Sequence, residues 1–343
     1  MAHRAGLDPR GATHAAARRD AALRAARSAG IWGLLIASTV LAALFVPGFA
    51  TSTNLGNVVT QSAALGFVAL GQTFVIAAGL IDLSVGQLVG LTVVLTCALT
   101  DGRADLLLPV AMGVLALGAV VGSVHGWLVN RLAIEPLILT FGSLSILQGA
   151  IFSYTDRSVG RAPEALRWIA NERLLGWPVA GLLLLVAALG AHTLLRRTRF
   201  GLRLLATGDD GESARRAGVP VARIRWGAFV LSALGAAAGG LLVAGRLGTG
   251  YPNAGQGFEL DAIVAAVLGG TSLAGGRASI VGTIGAVLVL GVIANVLNLL
   301  EVSAFVQTLA KGLIVVAAIL ATRTSRGGAR RPAAARAPAA EAR

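Results

Sequence analysis

The feature that most constrains this chain is a series of long apolar runs that carry almost no charge. They lie at residues 31–47, 55–79, 83–100, 105–129, 135–155, 174–195, 227–247, 259–275, 279–300 and 303–321. Most are close to the roughly 20 residues that a helix needs to cross a bilayer. They do not alternate between apolar and polar residues, which excludes a transmembrane barrel. The sequence therefore predicts an all-α, polytopic transmembrane helical bundle with about ten spans, including broken or half helices within 55–100.

The positive charge of the chain indicates its topology. The formal net charge is +13, and most of the 29 basic residues fall in three polar stretches, 1–30, 196–225 and 322–343. Loops on the cytoplasmic side of a membrane collect Lys and Arg. Six apolar runs precede the middle stretch and four follow it, which places all three stretches on one side. We therefore expect a membrane domain at 31–321 between two basic cytoplasmic tails, although four arginines in the predicted outer loop 156–173 oppose this bias.

What the sequence lacks excludes several classes of function. No stretch interleaves basic residues with aromatic ones, so nucleic-acid binding is not expected. Cys97 is the single cysteine, and the four histidines are scattered, so neither a disulfide framework nor a metal site is expected. The only lysine, Lys311, has an apolar context and cannot serve a P-loop. We therefore expect no enzyme activity and no cofactor held by this chain.

Five ionisable residues stand at the edges of the apolar runs. They are Asp82, Glu259, Asp261, Glu301 and Lys311. A charge inside a bilayer costs about 2.5–3.5 kcal/mol on insertion scales, so each is a candidate functional residue. Asp82 with Ser84, and Glu259 with Asp261, also stand where helix N-caps are expected. Capping is the favoured interpretation, and contact with a solute path and a proton relay are the alternatives.

The polar stretch in the middle of the chain reads RFGLRLLATGDDGESARRAGVPVARIR over residues 199–225. It predicts a short amphipathic helix at about 200–218, which its glycines divide into pieces with turns. Its acidic residues come just before a basic pair, Arg215 and Arg216. Two interpretations have equal weight: a solvated loop that only sets topology, or a docking element for a soluble partner.

Four stretches of the sequence resemble one family. They are LGQTFVIAAGLIDLSVGQLVGL at 70–91, EPLILTFGSLSILQGA at 135–150, ATGDDGESARRAGV at 206–219 and GRLGTGYPNAGQGFELDAIVAAVLGGTSLAGGRASIVGT at 245–283. Together they are similar to the membrane subunits of bacterial ATP-binding-cassette importers for simple sugars, of the ribose, xylose and galactoside permease type. The resemblance covers about residues 45–321, nearly everything between the two tails.

The resemblance implies a mechanism and a set of partners. In this family two membrane subunits pair, ATPase subunits dock on the cytoplasmic loops, and an extracytoplasmic binding protein delivers the sugar. The ATPase subunits hold ATP and Mg²⁺, which agrees with a chain that has no P-loop. Their work switches the pair between two packings, so that access to the solute path alternates. The resemblance thus implies a multi-pass permease domain at 31–321 in the lipid of the bacterial cytoplasmic (inner) membrane, with a coupling loop at 196–226.

The resemblance also assigns residues. The coupling loop that contacts the ATPase subunit corresponds to Gly208, Asp210, Glu212, Ala214, Arg215 and Gly218. The two signatures nearest the translocation path contain Asp82, Ser84, Glu259, Asp261, Gly269, Gly270 and Thr271. Three positions depart from the family pattern. Asp210 and His125 each stand where Asn is usual, and Glu135 replaces a frequent Pro.

Three alternatives stay open beside the sugar importer. The same architecture imports other solutes, such as nucleosides, branched-chain amino acids or an autoinducer, and the sequence does not name the sugar. An ion-coupled secondary carrier would work without ATP, but no chain of ionisable residues threads several apolar runs, as a proton-driven carrier often shows. A structural scaffold would leave the first and fourth stretches unexplained.

Overall fold

The computed structural model describes residues 30–303 together with 306, 307, 309 and 312. The chain divides into two compact units, Met1–Val302 and Ser303–Arg343. In the second unit only single residues are described, and the amide of Gln307 donates a hydrogen bond to the carbonyl oxygen of Ser303 (3.0 Å). The predicted span at 303–321, Lys311 and nearly all of both basic tails therefore lie outside the described residues.

In residues 30–302, which the structure describes, the first unit consists mainly of α-helices. In chain order they are α1 (Gly30–Phe45), α2 (Ser52–Ala77), α3 (Val85–Thr100), α4 (Leu107–Arg131), α5 (Pro136–Tyr154), α6 (Glu164–Asn171), α7 (Val179–Arg197), α8 (Arg199–Asp209), α9 (Gly211–Arg216), α10 (Val221–Leu247), α11 (Phe258–Leu268) and α12 (Ile280–Leu299). A short antiparallel hairpin joins β1 (Arg173–Leu174) to β2 (Trp177–Pro178). The predicted all-α architecture is confirmed.

The number of spans differs from the prediction. Within the described residues, six helices are long and apolar enough to cross a membrane, namely α2, α4 with the 3₁₀ turn before it, α5, α7, α10 and α12. Helices α1 and α3 are apolar but shorter. Helix α11 has only 11 residues, about 16 Å at the usual rise, which is half of a hydrocarbon core of about 30 Å. The count of about ten spans is not confirmed.

The expected broken helix is present between α2 and α3. Helix α2 ends at Ala77 and α3 begins at Val85, and the residues between them include Leu80 and Asp82, both buried. Irregular backbone at membrane depth is tolerated only where protein covers it or where it lines a cavity. The interruption therefore lies inside the bundle, where its polar groups are available to other helices.

Helix α10 lies at the centre of the bundle and packs against α2, α3 and α4. Helix α4 approaches it through glycines, because a Cβ at Gly122 would lie 2.6 Å from the carbonyl oxygen of Phe229 and one at Gly118 would lie 3.0 Å from that of Ala233. Small residues permit this backbone-to-backbone contact, which stabilises helix pairs in lipid through close van der Waals contact.

Helix α7 connects the two ends of the bundle. It has 19 residues and is therefore about 28 Å long. Before it come α6 and the hairpin, together with a bridge between Val159 and Gly250. After it come α8 and α9. We name these the α6 end and the α8 end.

A buried pair of asparagines joins α2 to α12 and provides a test of the fold. The Nδ2 atom of each side chain donates to the Oδ1 atom of the other, at 2.8 Å from Asn54 and 2.9 Å from Asn295. Replacing Asn295 by Leu removes the donor to the Oδ1 atom of Asn54 and leaves its Nδ2 atom with only the carbonyl oxygen of Phe49 (3.0 Å). We therefore expect the free energy of unfolding to fall by about 1–3 kcal/mol. Unfolding in mixed micelles measures this change. Replacing both residues by Leu should restore part of the loss, and a double variant weaker than both single ones would contradict this account.

Candidate functional site

The stretch predicted to be a coupling loop is built from two short helices. The amphipathic helix predicted at about 200–218 is not continuous, because α8 ends at Asp209 and α9 begins at Gly211. The interruption falls at Asp210, whose extended backbone (φ −153°, ψ 101°) cannot continue a helix. A turn follows α9, and Gly218 there has a φ of +80°, which an L side chain rarely adopts. The predicted division into pieces with turns is confirmed.

Asp210 is the N-cap of α9. Its Oδ1 accepts hydrogen bonds from the amides of Glu212 (3.0 Å) and Ser213 (3.1 Å), and its Oδ2 accepts one from the Ser213 hydroxyl (2.6 Å). The Ser213 hydroxyl, followed by the two amides, lowers the pKa of the Asp210 carboxyl below its ordinary value. Glu212 forms salt bridges with Arg215 and Arg216, both at 3.2 Å. These contacts hold one face of α9, while Ala214 is buried on the other.

The lowered pKa of Asp210 predicts a pH dependence. A carboxyl with a depressed folded-state pKa stabilises the structure above its unfolded value of about 3.9, and this stabilisation is lost as the pH falls through the folded pKa. We expect the exchange protection of the Ser213 amide to decrease in acid over that range. In Asp210→Asn the cap remains, since Asn and Asp cap equally well, and its protection should not depend on pH in this range. Identical pH profiles for the two proteins would refute the assignment.

The predicted coupling loop meets the resembling stretches 70–91 and 245–283 at one point, which we name the glycine junction: Ala77, Gly79, Gly208, Gly275 and Gly276. The amide of Gly276 donates a hydrogen bond to the carbonyl oxygen of Ala77 (3.0 Å). A Cβ at Gly208 would overlap that oxygen and lie 2.6 Å from the Gly276 nitrogen. Gly79 and Gly275 lie against the Gly208 backbone from the same two segments. The end of α8 is therefore wedged between the end of α2 and the loop that follows α11.

The resembling stretches 70–91 and 245–283 also meet inside the bundle, at the start of α11. The carboxyl of Glu259 lies against Gly86 of α3, and Gly255 lies against the backbone of Gly86 and Gly90. The amide of Gly257 donates to Oε1 of Glu259 (3.3 Å), whereas Oε2 is buried without a hydrogen-bond partner among the described residues. Within the described residues, the Glu259 carboxyl is thus hydrogen-bonded only within its own turn, while Oε2 lies against Gly86 of α3.

Asp82 is the centre of a buried polar cluster. It has no solvent-exposed surface, and its Oδ1 accepts from both the amide (3.0 Å) and the hydroxyl (2.6 Å) of Ser84. Its Oδ2 accepts from the Ser232 hydroxyl of α10 (3.0 Å), and Ser232 also lies 3.4 Å from Oε1 of Gln72 on α2. The cluster therefore ties the break between α2 and α3 to the central helix.

The expected N-caps are only partly found. Ser84 is the N-cap residue of α3, but its side chain makes no cap bond, and the neighbouring Asp82 accepts the local amide instead. The N-cap of α11 is Gly257, so Glu259 and Asp261 lie in the first helical turn and not at the cap. Both acidic residues are nevertheless at the end of the helix that favours negative charge. The capping prediction for this pair is therefore wrong in position.

The remaining signature residues form the turn after α11. Gly269 packs directly on the backbone of Gly282 and Thr283 at the start of α12. Gly270 has a φ of +99°, and the amide of Thr271 donates to the carbonyl oxygen of Ala266 (2.9 Å). The predicted apolar run at 259–275 therefore contains a helix end and a turn, which hydropathy alone does not reveal.

The structure shows the surroundings of the three residues that depart from the family pattern. His125 is buried on α4, where its Nε2 lies 2.8 Å from the hydroxyl of Ser143 on α5 and its ring meets Phe229 edge-on. Glu135 is the N-cap residue of α5 without a side-chain cap bond, ahead of Pro136. Asp210 caps α9, as described above. Of these residues, His125 and Asp210 have structural partners within this chain.

Several residues of the site were not predicted. Ser232 is a lone hydroxyl in an apolar run, and Gln72 lies within the first resembling stretch but carries no spacing signal. Ala77 and Gly276 contribute only backbone atoms to the glycine junction, so no side-chain pattern could find them. Residue ranges 30–303 and the four later described positions contain no group of three or more His, Cys, Asp or Glu side chains that could hold a metal ion.

The fold and these contacts are those of a multi-pass integral membrane protein with an interrupted, polar interior and a pair of short helices at one end. Residues 54–322 match the family described as branched-chain amino acid transport system / permease component. The chain belongs to this permease family.

Similar proteins in well-studied bacteria are permeases. The chain is 37% identical over 294 residues to the ribose import permease protein of Escherichia coli, across 83% of this chain and 91% of that one. It is 36% identical over 287 residues to the ribose import permease protein of Bacillus subtilis, across 83% and 89%. It is 36% identical over 296 residues to the L-arabinose transport system permease protein of Escherichia coli, across 85% and 90%. No solved structure matches the chain.

Proposed function

We propose that this chain is the membrane-spanning subunit of an ATP-binding-cassette importer for a simple sugar, of the ribose, xylose or galactose class. Separate cytoplasmic ATPase subunits hold ATP and Mg²⁺ and dock on the coupling loop. A second permease subunit pairs with this one, and an extracytoplasmic sugar-binding protein delivers the solute. The relatives named as ribose and arabinose permeases support the substrate class.

The glycine junction is the observation that carries this proposal. A soluble partner that moves α8 and α9 also moves Gly208, which touches the end of α2 and the loop after α11 at once. Because packed interfaces are bistable and not continuously deformable, a small shift there can switch the bundle between two arrangements. The coupling element in this proposal consists of Gly208, Asp210, Glu212, Ala214, Arg215 and Gly218.

The solute path follows the interrupted interior. The residues that line this path or hold its wall in place are Asp82, Ser84, Glu259, Asp261, Gly269, Gly270 and Thr271. Three buried side-chain atoms there lack hydrogen-bond partners in the described part of the chain, namely Nε2 of Gln72, Oε2 of Glu259 and Oγ1 of Thr271. Sugars need neutral and charged hydrogen-bonding groups of this kind, because their hydroxyls lose water on passage.

The topology follows from charge. The α8 end carries Arg196, Arg197, Arg215 and Arg216 and faces the cytoplasm in this proposal, with both chain termini, because cytoplasmic loops are enriched in Lys and Arg. The α6 end then faces the outside of the bacterial inner membrane.

Import of a branched-chain amino acid is the second candidate, since the matching family is described by that substrate. Uptake of labelled pentoses, hexoses and amino acids into proteoliposomes tests both, with ATPase and binding-protein subunits added or withheld. We expect sugar uptake that requires ATP and both partners. Uptake of an amino acid alone would move the proposal to the second candidate. Transport by this chain without partners, driven by an ion gradient, would make it a secondary carrier instead.

A further inference from the structure

A cavity of about 260 Å³ lies at the α6 end, between α2, α10 and the turn that leads into α11. It is bounded by Thr60 and Gln61 of α2, Arg246 in the last turn of α10, Tyr251 in the turn and Phe258 at the start of α11. At about 30 Å³ for each liquid water, it has room for about nine waters. This volume is sufficient for one monosaccharide.

The cavity extends from exposed residues at its mouth, Arg246 and Tyr251, to buried residues such as Ala64 and Leu242. Gln61 lies nine residues along α2 from its start at Ser52, which is a depth of about 14 Å. Its wall at 251–258 is fixed from behind, because Gly255 of the same turn lies against the backbone of Gly86 on α3. The cavity therefore opens toward the α6 end, and its inner wall is the turn at 251–258, which packs against α3.

The polar side chains around the cavity are uncommitted. Thr60, Gln61, Arg246 and Tyr251 make no side-chain hydrogen bond or salt bridge with any other residue that the structure describes. Arg246 offers five N–H donors in a fixed fork, while the Gln amide and the Thr and Tyr hydroxyls can each donate and accept. The remaining lining is apolar, with the rings of Tyr251 and Phe258 next to the polar groups.

This combination fits one small polyhydroxylated ligand. A monosaccharide presents hydroxyl oxygens to donors and acceptors around its rim and apolar C–H faces to aromatic rings. The lining residues include no acidic side chain, so a cationic solute has no counter-charge there. We propose that this cavity is the site at which the permease receives one monosaccharide, with Arg246 and Gln61 bonding its hydroxyls and Tyr251 and Phe258 covering its C–H faces.

The inference rests on the proposed function, since it names the site for the same substrate class. Its simplest competitor is anchoring at the membrane surface, where Tyr is common and an Arg near a helix end extends to the headgroups. Under anchoring, the four polar side chains contact water and lipid headgroups, and a sugar has no effect on them. The two accounts therefore differ in whether a free sugar occupies the cavity.

Cysteine protection tests occupancy without any transport. Thr60→Cys is close in size and places a thiol in the cavity wall, while Cys97 is buried, so the unaltered chain is the blank. We expect a small hydrophilic thiol reagent to label the variant in lipid nanodiscs. Ribose, arabinose or galactose at millimolar concentration should slow that labelling, and a branched-chain amino acid should not. Equal labelling rates with and without every sugar, or protection by the amino acid alone, would overturn the proposal.

Transport provides the second measurement. We expect Arg246→Gln to lower sugar uptake about tenfold or more at saturating binding protein, the effect of losing a charge-assisted hydrogen bond. Arg157→Gln is the matched control, because Arg157 is exposed and pairs only with neighbouring Asp156 (3.7 Å). If the unaltered chain imports sugar and Arg246→Gln imports it equally well, only this inference fails. If the unaltered chain imports no sugar, the proposed function fails, and the protection assay still decides whether the cavity binds one.

Discussion

Gly208→Ala should reduce ATP-driven uptake by about tenfold to a hundredfold. The added methyl group would overlap the carbonyl oxygen of Ala77 and lie 2.6 Å from the amide nitrogen of Gly276, which donates a hydrogen bond to that oxygen. Backbone atoms cannot rotate away as a flexible side chain can, so the end of α8 must move away from the end of α2 and from the loop after α11. Overpacking of this kind costs about 1–3 kcal/mol, and the cost falls on the contact that transmits movement.

Helix propensity makes this a demanding test. Gly208 is in the last turn of α8, where Ala is a better helix former than Gly by about 1 kcal/mol. The substitution therefore favours the helix itself, and a loss of uptake reports on the glycine junction and not on helix formation. Uptake into proteoliposomes with both partners measures the effect, and co-elution of the ATPase subunit shows whether docking survives.

A matched control is available three residues later. At Gly211, the first residue of α9, an added Cβ would meet only the flexible end of Arg225, at 3.3 Å. We expect Gly211→Ala to transport at nearly the normal rate. Normal uptake by Gly208→Ala would show that the junction tolerates displacement, and the coupling role of this contact would have to be abandoned.

The sequence predicts the long helices well for a simple physical reason. A helix in lipid must satisfy its own backbone, so a long run with almost no charge such as 105–129 has almost one possible structure, and α4 forms there. The same reasoning fails for residues 259–275. Gly269, Gly270 and Thr271 are too few to lower the hydropathy of that run, yet they end α11 and turn the chain.

The candidate site is predictable to a smaller extent. Asp82 and Glu259 stand out because a charge at membrane depth is expensive, and both are close to the meeting of the two signatures. The cap at Asp210 has a local signal, since Asp is a preferred N-cap residue. The glycine junction has none. It joins backbone atoms of three segments that are far apart in the sequence, and no side-chain pattern records such a contact.

Asp82→Leu should be the most destabilising of these variants. It removes the acceptor of three hydrogen bonds, from the Ser84 amide, the Ser84 hydroxyl and the Ser232 hydroxyl, at a site without solvent exposure. Each buried donor left without an acceptor costs about 1–3 kcal/mol, so we expect a loss of about 3 kcal/mol or more in the free energy of unfolding. Asp105→Leu is the control, because Asp105 is exposed and pairs only with Arg103, and its unfolding midpoint should not change.

Asp82→Asn separates the two roles that a buried carboxylate can have here. The Asn side chain keeps one carbonyl oxygen for Ser84, and its amide can donate to the Ser232 hydroxyl, which both donates and accepts. If Asp82 only organises the break between α2 and α3, this variant should lose about 1 kcal/mol or less and import sugar at a rate close to normal. We expect this result, because the carboxylate already has three donors within the protein. A stable Asp82→Asn protein that imports nothing would contradict it and show that the solute path requires the negative charge itself.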